Sequence, residues 1–281
     1  MAGASMKDIK LRIRSVESTM QITKAMQLVA SSKLRRARER MESSRPYARV
    51  SREAVMAAVS SCREGSVPYV TPREVKRRCY VIIAGDRGLA GGYNSNVFKA
   101  VQAHRGDVDC CAMPVGRKAQ EFCHHRGIPA LADDFERVEG TTVGSCFRMA
   151  YLLLGAYDRG EVDEIVLVYT DLVNMMNQEV HLERLVPVEA PEKPDGRAVS
   201  TVYEPEPDEL LKRVMPDFLA GRLYSAVCDS YASEVASRRN AMDSATKNAD
   251  AMISDLRLKY NRARQGAITQ EITEIVAGAE K

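Results

Sequence analysis

Residues 20–41 read MQITKAMQLVASSKLRRARERM, and the spacing inside them decides the fold. Met20, Thr23, Gln27, Ala30, Leu34, Ala37 and Met41 recur at alternating steps of three and four, which is one face of a helix. The face continues outward through Val16, Ile13 and Ile9 on one side and through Ser44 and Ala48 on the other. From residue 5 to residue 61 there is a single proline, Pro46. A helix of about 55 residues extends about 80 Å at 1.5 Å per residue. No compact domain of this size buries such a rod, so the helix is expected to project and to pair. Polar Thr23, Gln27 and Ser44 interrupt the stripe and set it apart from a fully apolar zipper.

The other end of the chain matches. From residue 208 onward, Leu211, Val214, Phe218, Gly221, Ser225, Cys228, Ala232, Val235, Arg238, Met242, Ala245, Ala249, Met252, Leu256, Lys259 and Ala263 follow the same steps. Pro216 falls in the first turns and is expected to kink the helix or displace its start. No proline follows it, and about 65 to 70 helical residues approach 100 Å. Two long helices at opposite ends of one chain predict an antiparallel coiled coil, with alanine and serine in the seam allowing close approach.

The middle alternates. Residues 79–84 are an apolar run, followed by a glycine-rich turn and a helical pattern over 94–104. Residues 108–113, 165–170 and 179–187 read as further strands, and 116–126 and 141–157 as helices. Such alternation predicts an α/β domain with a largely parallel sheet. Residues 190–196, APEKPDG, form a loop, and the pair Asp133-Asp134 is a solvated loop feature. The expected fold class is α/β: a long antiparallel coiled coil of residues 1–61 with 207–281, plus a central domain over 76–203.

Composition fits that picture. Hydrophobic residues make up 45% of the 281 and charged residues 28%, a globular balance. Net charge is +3, but residues 1–49 carry +8, residues 50–229 carry −6 and residues 230–281 carry +1. The basic segment points to an acidic partner or a solvated face. The longest apolar runs, such as 165–169, fall far short of the roughly 18 to 20 residues a membrane span needs. Residues 1–10, MAGASMKDIK, lack an apolar signal core, so the expected location is cytoplasmic. Seven cysteines, an odd number without a secretory signal, are expected to be reduced thiols. Adjacent pairs such as Cys110-Cys111 and His124-His125 diverge in direction and make poor metal ligands, so no metal is expected.

Catalytic patterns are missing. In the turn GDRGLAGGYN over 85–94, Gly85 and Gly88 stand three apart, so G-x-G-x-x-G is absent, and no phosphate-binding G-x-x-x-x-G-K-[ST] occurs. No G-x-S-x-G, H-E-x-x-H or C-x-x-C occurs either. The chain is not expected to be an enzyme by itself or to hold a cofactor. Two other regions are overloaded with apolar residues. Around Lys24, Met26, Leu28 and Val29, apolar side chains fall off the main stripe. At the C-terminal tip, Ile268, Ile272 and Ile275 form one stripe and Val276 lies about 100° from Ile275. They cannot all face the N-terminal helix, so part of this surface must meet something else.

The motifs MKDIK, ITKAMQLVASSKL, DRGLAGGYN, YEPEP over 203–207 and YNRARQGAITQEITEIV over 260–276 resemble the gamma subunit of the F-type ATP synthase, in order and across the whole chain. The resemblance implies a coiled-coil shaft on a Rossmann-like domain without nucleotide. The implied partners are the alpha and beta subunits of the catalytic hexamer, the epsilon subunit and the ring of c-subunits, with membrane contact only through the complex. Carried over by position, Lys24, Met26 and Arg238 face an acidic beta-subunit loop. Arg264 and Gln265 meet a second beta-subunit loop, and Thr269, Glu271 and Glu274 belong to the same tip. Ile268, Ile272, Ile275 and Val276 form an apolar bearing, and Tyr203, Glu204 and Pro205 meet the c-ring. No closely spaced cysteine pair of the chloroplast regulatory kind is present, so thiol regulation of that type is not expected. The main rival is a basic coiled coil binding nucleic acid. Against it, Tyr47 is the only aromatic residue of the basic helix available for base stacking. A Rossmann-type enzyme is the second rival, weakened by the missing glycine motif.

Overall fold

The computed structural model describes residues 6–62, 67–132, 137–189 and 203–279, with side chains through Val276. The Asp133-Asp134 pair and the APEKPDG loop lie outside the described residues. In chain order the elements are α1 (Met6–Ser61), β1 (Arg77–Ile83), α2 (Tyr93–Arg105), β2 (Asp109–Val115), α3 (Arg117–Arg126), α4 (Val143–Asp158), β3 (Glu164–Leu172), β4 (Gln178–Val186) and α5 (Pro207–Ala279). They group into two units, one of residues 32–237 and one of residues 1–31 with 238–281.

The 32–237 unit is built on a four-stranded sheet in the order β2-β1-β3-β4. β1 pairs in parallel with both β2 and β3, and β4 returns antiparallel to β3 as a hairpin. The apolar alternation of each strand feeds two cores. On one face Cys79, Val81, Ile83, Ile165 and Leu167 pack against α4, α5 and the last turns of α1. On the other, Tyr80, Ile82, Val166 and Val168 pack against α2 and α3, where Phe98 and Phe122 stack with centroids 4.4 Å apart. Thr142 caps α4, its hydroxyl accepting from the Ser145 amide at 3.2 Å. Gly116 is required where it stands. At φ +93, a Cβ there would lie 1.9 Å from the Ala84 carbonyl oxygen.

α5 begins at Pro207, whose missing N–H costs nothing in a first turn, and continues unbroken past Pro216. Pro216 therefore does not displace the start. Packing holds the helix across the proline: Leu211, Met215, Phe218, Leu219 and Leu223 are all buried. Within this unit α1 is fastened by polar contacts. Lys33 meets Glu139 at 2.6 Å, Arg40 donates to the Glu139 and Thr141 carbonyls, and Arg45 reaches Asp171 at 2.7 Å and Asp229 at 2.9 Å.

The other unit is an antiparallel helix pair. Arg239 Nε donates to Ser31 Oγ at 3.2 Å, Gln27 Nε2 to Asp243 Oδ1 at 2.9 Å, and the Thr23 and Thr246 hydroxyls meet at 2.8 Å. Arg257 pairs with Glu17 at 2.9 Å. Partner numbers rise on one helix as they fall on the other, which is the antiparallel signature. On α1 the expected stripe is the observed one, with Ile9, Thr23 and Ala30 buried. On α5 the expected stripe holds at Met242, Ala249 and Leu256, all buried, but slips by one residue between them. Met252 is 46% exposed and Lys259 is exposed, while Ile253 is buried. A three-four repeat fits two phases, and the Thr23–Thr246 hydrogen bond selects the one running through Thr246, Ala249, Ile253 and Leu256.

Candidate functional site

The residues of the expected partner surface, apart from 203–205, fall in the helix-pair unit. On α1, Lys24 is exposed and Met26 half-buried. Two residues apart on a helix means about 200° of rotation, so they flank the seam on opposite sides rather than forming one patch. Met26 belongs instead to a row with Ile22 and Val29, each 58% exposed, while Lys24 shares its side with exposed Leu28. Ile22 and Leu258 are large exposed apolar residues that the sequence reading passed over. The signal was available, since both lie off the three-four stripe, where an apolar residue has no seam to fill. Arg238 is half-buried on α5.

At the tip the seam row of α5 reaches half-buried Ala263 and Ala267, then passes to exposed Gln270 and Glu274. Gln270 Nε2 donates to Glu274 Oε1 at 3.0 Å, so these two satisfy one another. Ile268, Ile272, Ile275 and Val276 are all exposed, Ile275 at 70%. At 100° per residue they lie roughly 110° or more from the seam row. All four therefore face away from α1, not only some of them. Arg264, Gln265, Thr269 and Glu271 are exposed between them. The Thr269 hydroxyl donates to the Gln265 carbonyl at 2.9 Å, which ties its side chain to the helix rather than freeing it outward. Four large apolar side chains on water, interleaved with a guanidinium, an amide and carboxylates, make a surface suited to a partner's socket.

The 32–237 unit holds the rest. Tyr203 packs against the core while Glu204 is exposed and Pro205 half-buried, just before α5. The glycine turn after β1 is filled from inside the chain. Glu234 of α5, 3% exposed, puts its carboxylate where a Gly85 side chain would be, with Oε1 2.6 Å from an ideal Cβ. The Gly85 amide donates to Asn94 Oδ1 at 2.8 Å. A carboxylate in that seat repels a phosphate, so the turn is a socket for α5. Beside it Leu89 is 65% exposed with φ 61, a left-handed conformation that a leucine rarely adopts.

The seven cysteines are free thiols. Burial pushes Cys123 up to about 12 and, with Asp208, Cys62 to about 11, which keeps both protonated and unreactive at neutral pH. Among the described residues no group of histidine, cysteine or carboxylate side chains has the geometry to hold a metal, and no helix is long and apolar enough to cross a membrane.

Comparison with known proteins agrees with this fold. A family model described as ATP synthase matches residues 5–281. The ATP synthase gamma chain of Alkaliphilus metalliredigens is 42% identical over 286 residues, covering 99% of each chain. That of Ruminococcus albus is 44% identical over 278 residues, covering 97% of this chain and 96% of that one. A gamma chain from Acetobacterium woodii described as sodium ion specific is 39% identical over 98% of both. Among solved structures, the central stalk and c-ring of the Tetrahymena thermophila mitochondrial ATP synthase includes a chain with TM-score 0.61 at 24% identity, covering 80% of this chain and 99% of that one. The rotor of the Euglena gracilis enzyme matches at TM-score 0.66 and 16% identity over 94% and 98%, a likeness of fold. With an end-to-end family match and relatives above 40% identity, the chain belongs to the ATP synthase gamma chain family.

Proposed function

We propose that this chain is the central rotor shaft of an ATP synthase, carrying rotation of an ion-driven c-ring to the nucleotide sites of the beta subunits. The observation that carries the reading is the α5 tip, where Ile268, Ile272, Ile275 and Val276 stand exposed on the side away from the seam. Apolar contacts are non-directional, so such a tip turns in an apolar collar without locking at one angle. Arg264 and Gln265 offer directional hydrogen bonds to a beta-subunit loop and hold particular angles. Met26 and Lys24, on the two sides of the seam, and Arg238 are the contacts to an acidic beta-subunit loop, with Thr269, Glu271 and Glu274 completing the tip. Tyr203, Glu204 and Pro205 form the foot against the c-ring, near the epsilon subunit. The shaft itself is non-catalytic: it favours one beta-subunit conformer over another at each angle, which is differential binding. It works on the cytoplasmic face of the membrane, held there by the complex. The nucleic-acid alternative loses support because Lys33, Arg40 and Arg45 of the basic segment are engaged by Glu139, Thr141, Asp171 and Asp229 of the same chain.

The test is the complete synthase carrying Met26→Lys, reconstituted in vesicles. A new ammonium beside an acidic partner loop deepens one angular state by about tenfold to a hundredfold. ATP hydrolysis is expected to persist while ions pumped per ATP fall. Unchanged pumping per ATP contradicts the assignment of Met26 to the beta-subunit contact, and failure of the unmodified chain to co-purify with the other subunits contradicts the shaft reading.

A further inference from the structure

On the reading of the chain as a rotor shaft, we infer that a polar clamp at the carboxyl end of the sheet, built from Ser230, Ser233 and Ser237 of α5, fixes that helix against rotation and sliding and so passes torque from the sheet into the helix. The clamp arises where the strand ladder stops. β1 pairs with β3 only as far as Ile82 and Val168, so Thr170, paired with Val180 of β4 on its other side, lies beyond the β1–β3 ladder. α5 takes the place of the missing strand. The Thr170 amide donates to Ser230 Oγ at 3.1 Å, and Ser233 Oγ donates to the Thr170 carbonyl at 3.1 Å. One turn on, Ser237 Oγ donates to the Ala90 carbonyl at 2.7 Å, in the loop after β1.

The side chains are there for these bonds and not for their size. Ser230 and Ser233 are both 0% exposed, and the neighbouring wall positions Ala226, Ala232 and Ala236 are equally buried alanines. Alanine therefore fits this interface, and a buried hydroxyl in it is costly unless bonded. Between them, Glu234 enters the turn that only Gly85 leaves open. An apolar helix–sheet contact alone tolerates small rotations, because dispersion and hydrophobic terms vary slowly with angle. Hydrogen bonds weaken steeply as their angle opens, so three of them around two turns define one angular seat for α5.

The experiment uses the complete synthase with Ser230→Ala, Ser233→Ala and Ser237→Ala together, and a rigid probe on the β3–β4 turn. Each lost bond raises the share of molecules out of the seat by about fivefold. The expected result is ATP hydrolysis within about twofold of the unmodified complex, angular variance of the probe raised about twofold or more at stall, and fewer ions pumped per ATP against a gradient. Unchanged variance and pumping ratio overturn the clamp. Should the triple variant not assemble, Ser237→Ala alone is read on the same probe, where a rise in variance supports the clamp and equal variance overturns it. An unmodified complex whose probe never turns on ATP contradicts the shaft reading itself, a result distinct from a turning complex with unchanged variance.

Discussion

Gly116 is the position where a single atom has the largest predicted effect. Its φ of +93 and the Ala84 oxygen 1.9 Å from an ideal Cβ leave no room for a side chain. Gly116→Ala is expected to cost about 3 kcal/mol, and Gly106→Ala, at φ +56 with nothing near its Cβ, only about 1 kcal/mol. Urea unfolding of the purified chain checks the order, and equal costs contradict the close approach. A second residue-scale effect is electrostatic. Burial lifts the Asp229 carboxyl above its ordinary value, although Arg45 donates to it from 2.9 Å and 3.1 Å. A raised folded value gives stability that is full below the unfolded value of about 3.9 and is lost as pH rises through the folded one. Wild type is therefore expected to lose ground to Asp229→Asn between pH 4 and its folded value and to hold a constant difference above it. Denaturation midpoints of the two proteins across that range check this, and a difference that moves in favour of wild type with rising pH contradicts it.

Among the elements, α5 carries the sharpest contrast of roles. Its tip residues divide into non-directional apolar side chains and directional polar ones. Deleting residues 275–281 removes Ile275 and Val276 and is expected to lower assembly yield modestly while rotation survives. Replacing Arg264 and Gln265 together leaves assembly possible and impairs turnover and coupling. Assembly yield and ATP-driven pumping measured on both variants decide it, and a deletion that abolishes catalysis in assembled complexes beside a silent double substitution reverses the roles. The element scale is also where the sequence was most legible. The α1 stripe, the strand-helix alternation and the antiparallel pairing all follow from periodicity, because a buried face must repeat with its element. Less legible was the α5 phase, since Ala245 and Thr246 serve a three-four repeat equally well until a hydrogen bond to Thr23 chooses. Lys24 and Met26, two residues apart on a helix, fall on opposite sides of the seam, because sequence neighbours on a helix are not spatial neighbours. The role of Glu234 was invisible from its own surroundings, because the turn it fills lies about 150 residues earlier in the chain.

Taken whole, the molecule answers why a Rossmann-like sheet stands here without a nucleotide motif. The crevice at the carboxyl ends of the strands, where open α/β sheets bind ligands, is taken by α5 through Ser230, Ser233, Glu234 and Ser237. The sheet holds a helix where a relative of the same architecture would hold a ligand, and that helix continues into the surface offered to partners. As a rotor shaft, this chain turns inside its complex. Met176, 80% exposed on the β3–β4 turn, gives the handle: Met176→Cys, with half-buried Cys62 changed to Ala and the other six thiols buried, takes a single reporter. With the catalytic hexamer fixed to a surface, adding Mg-ATP is predicted to drive stepwise rotation of the reporter in one direction, stopping when ATP is withdrawn. ATP turnover by the same immobilised complexes with the reporter stationary would contradict the account.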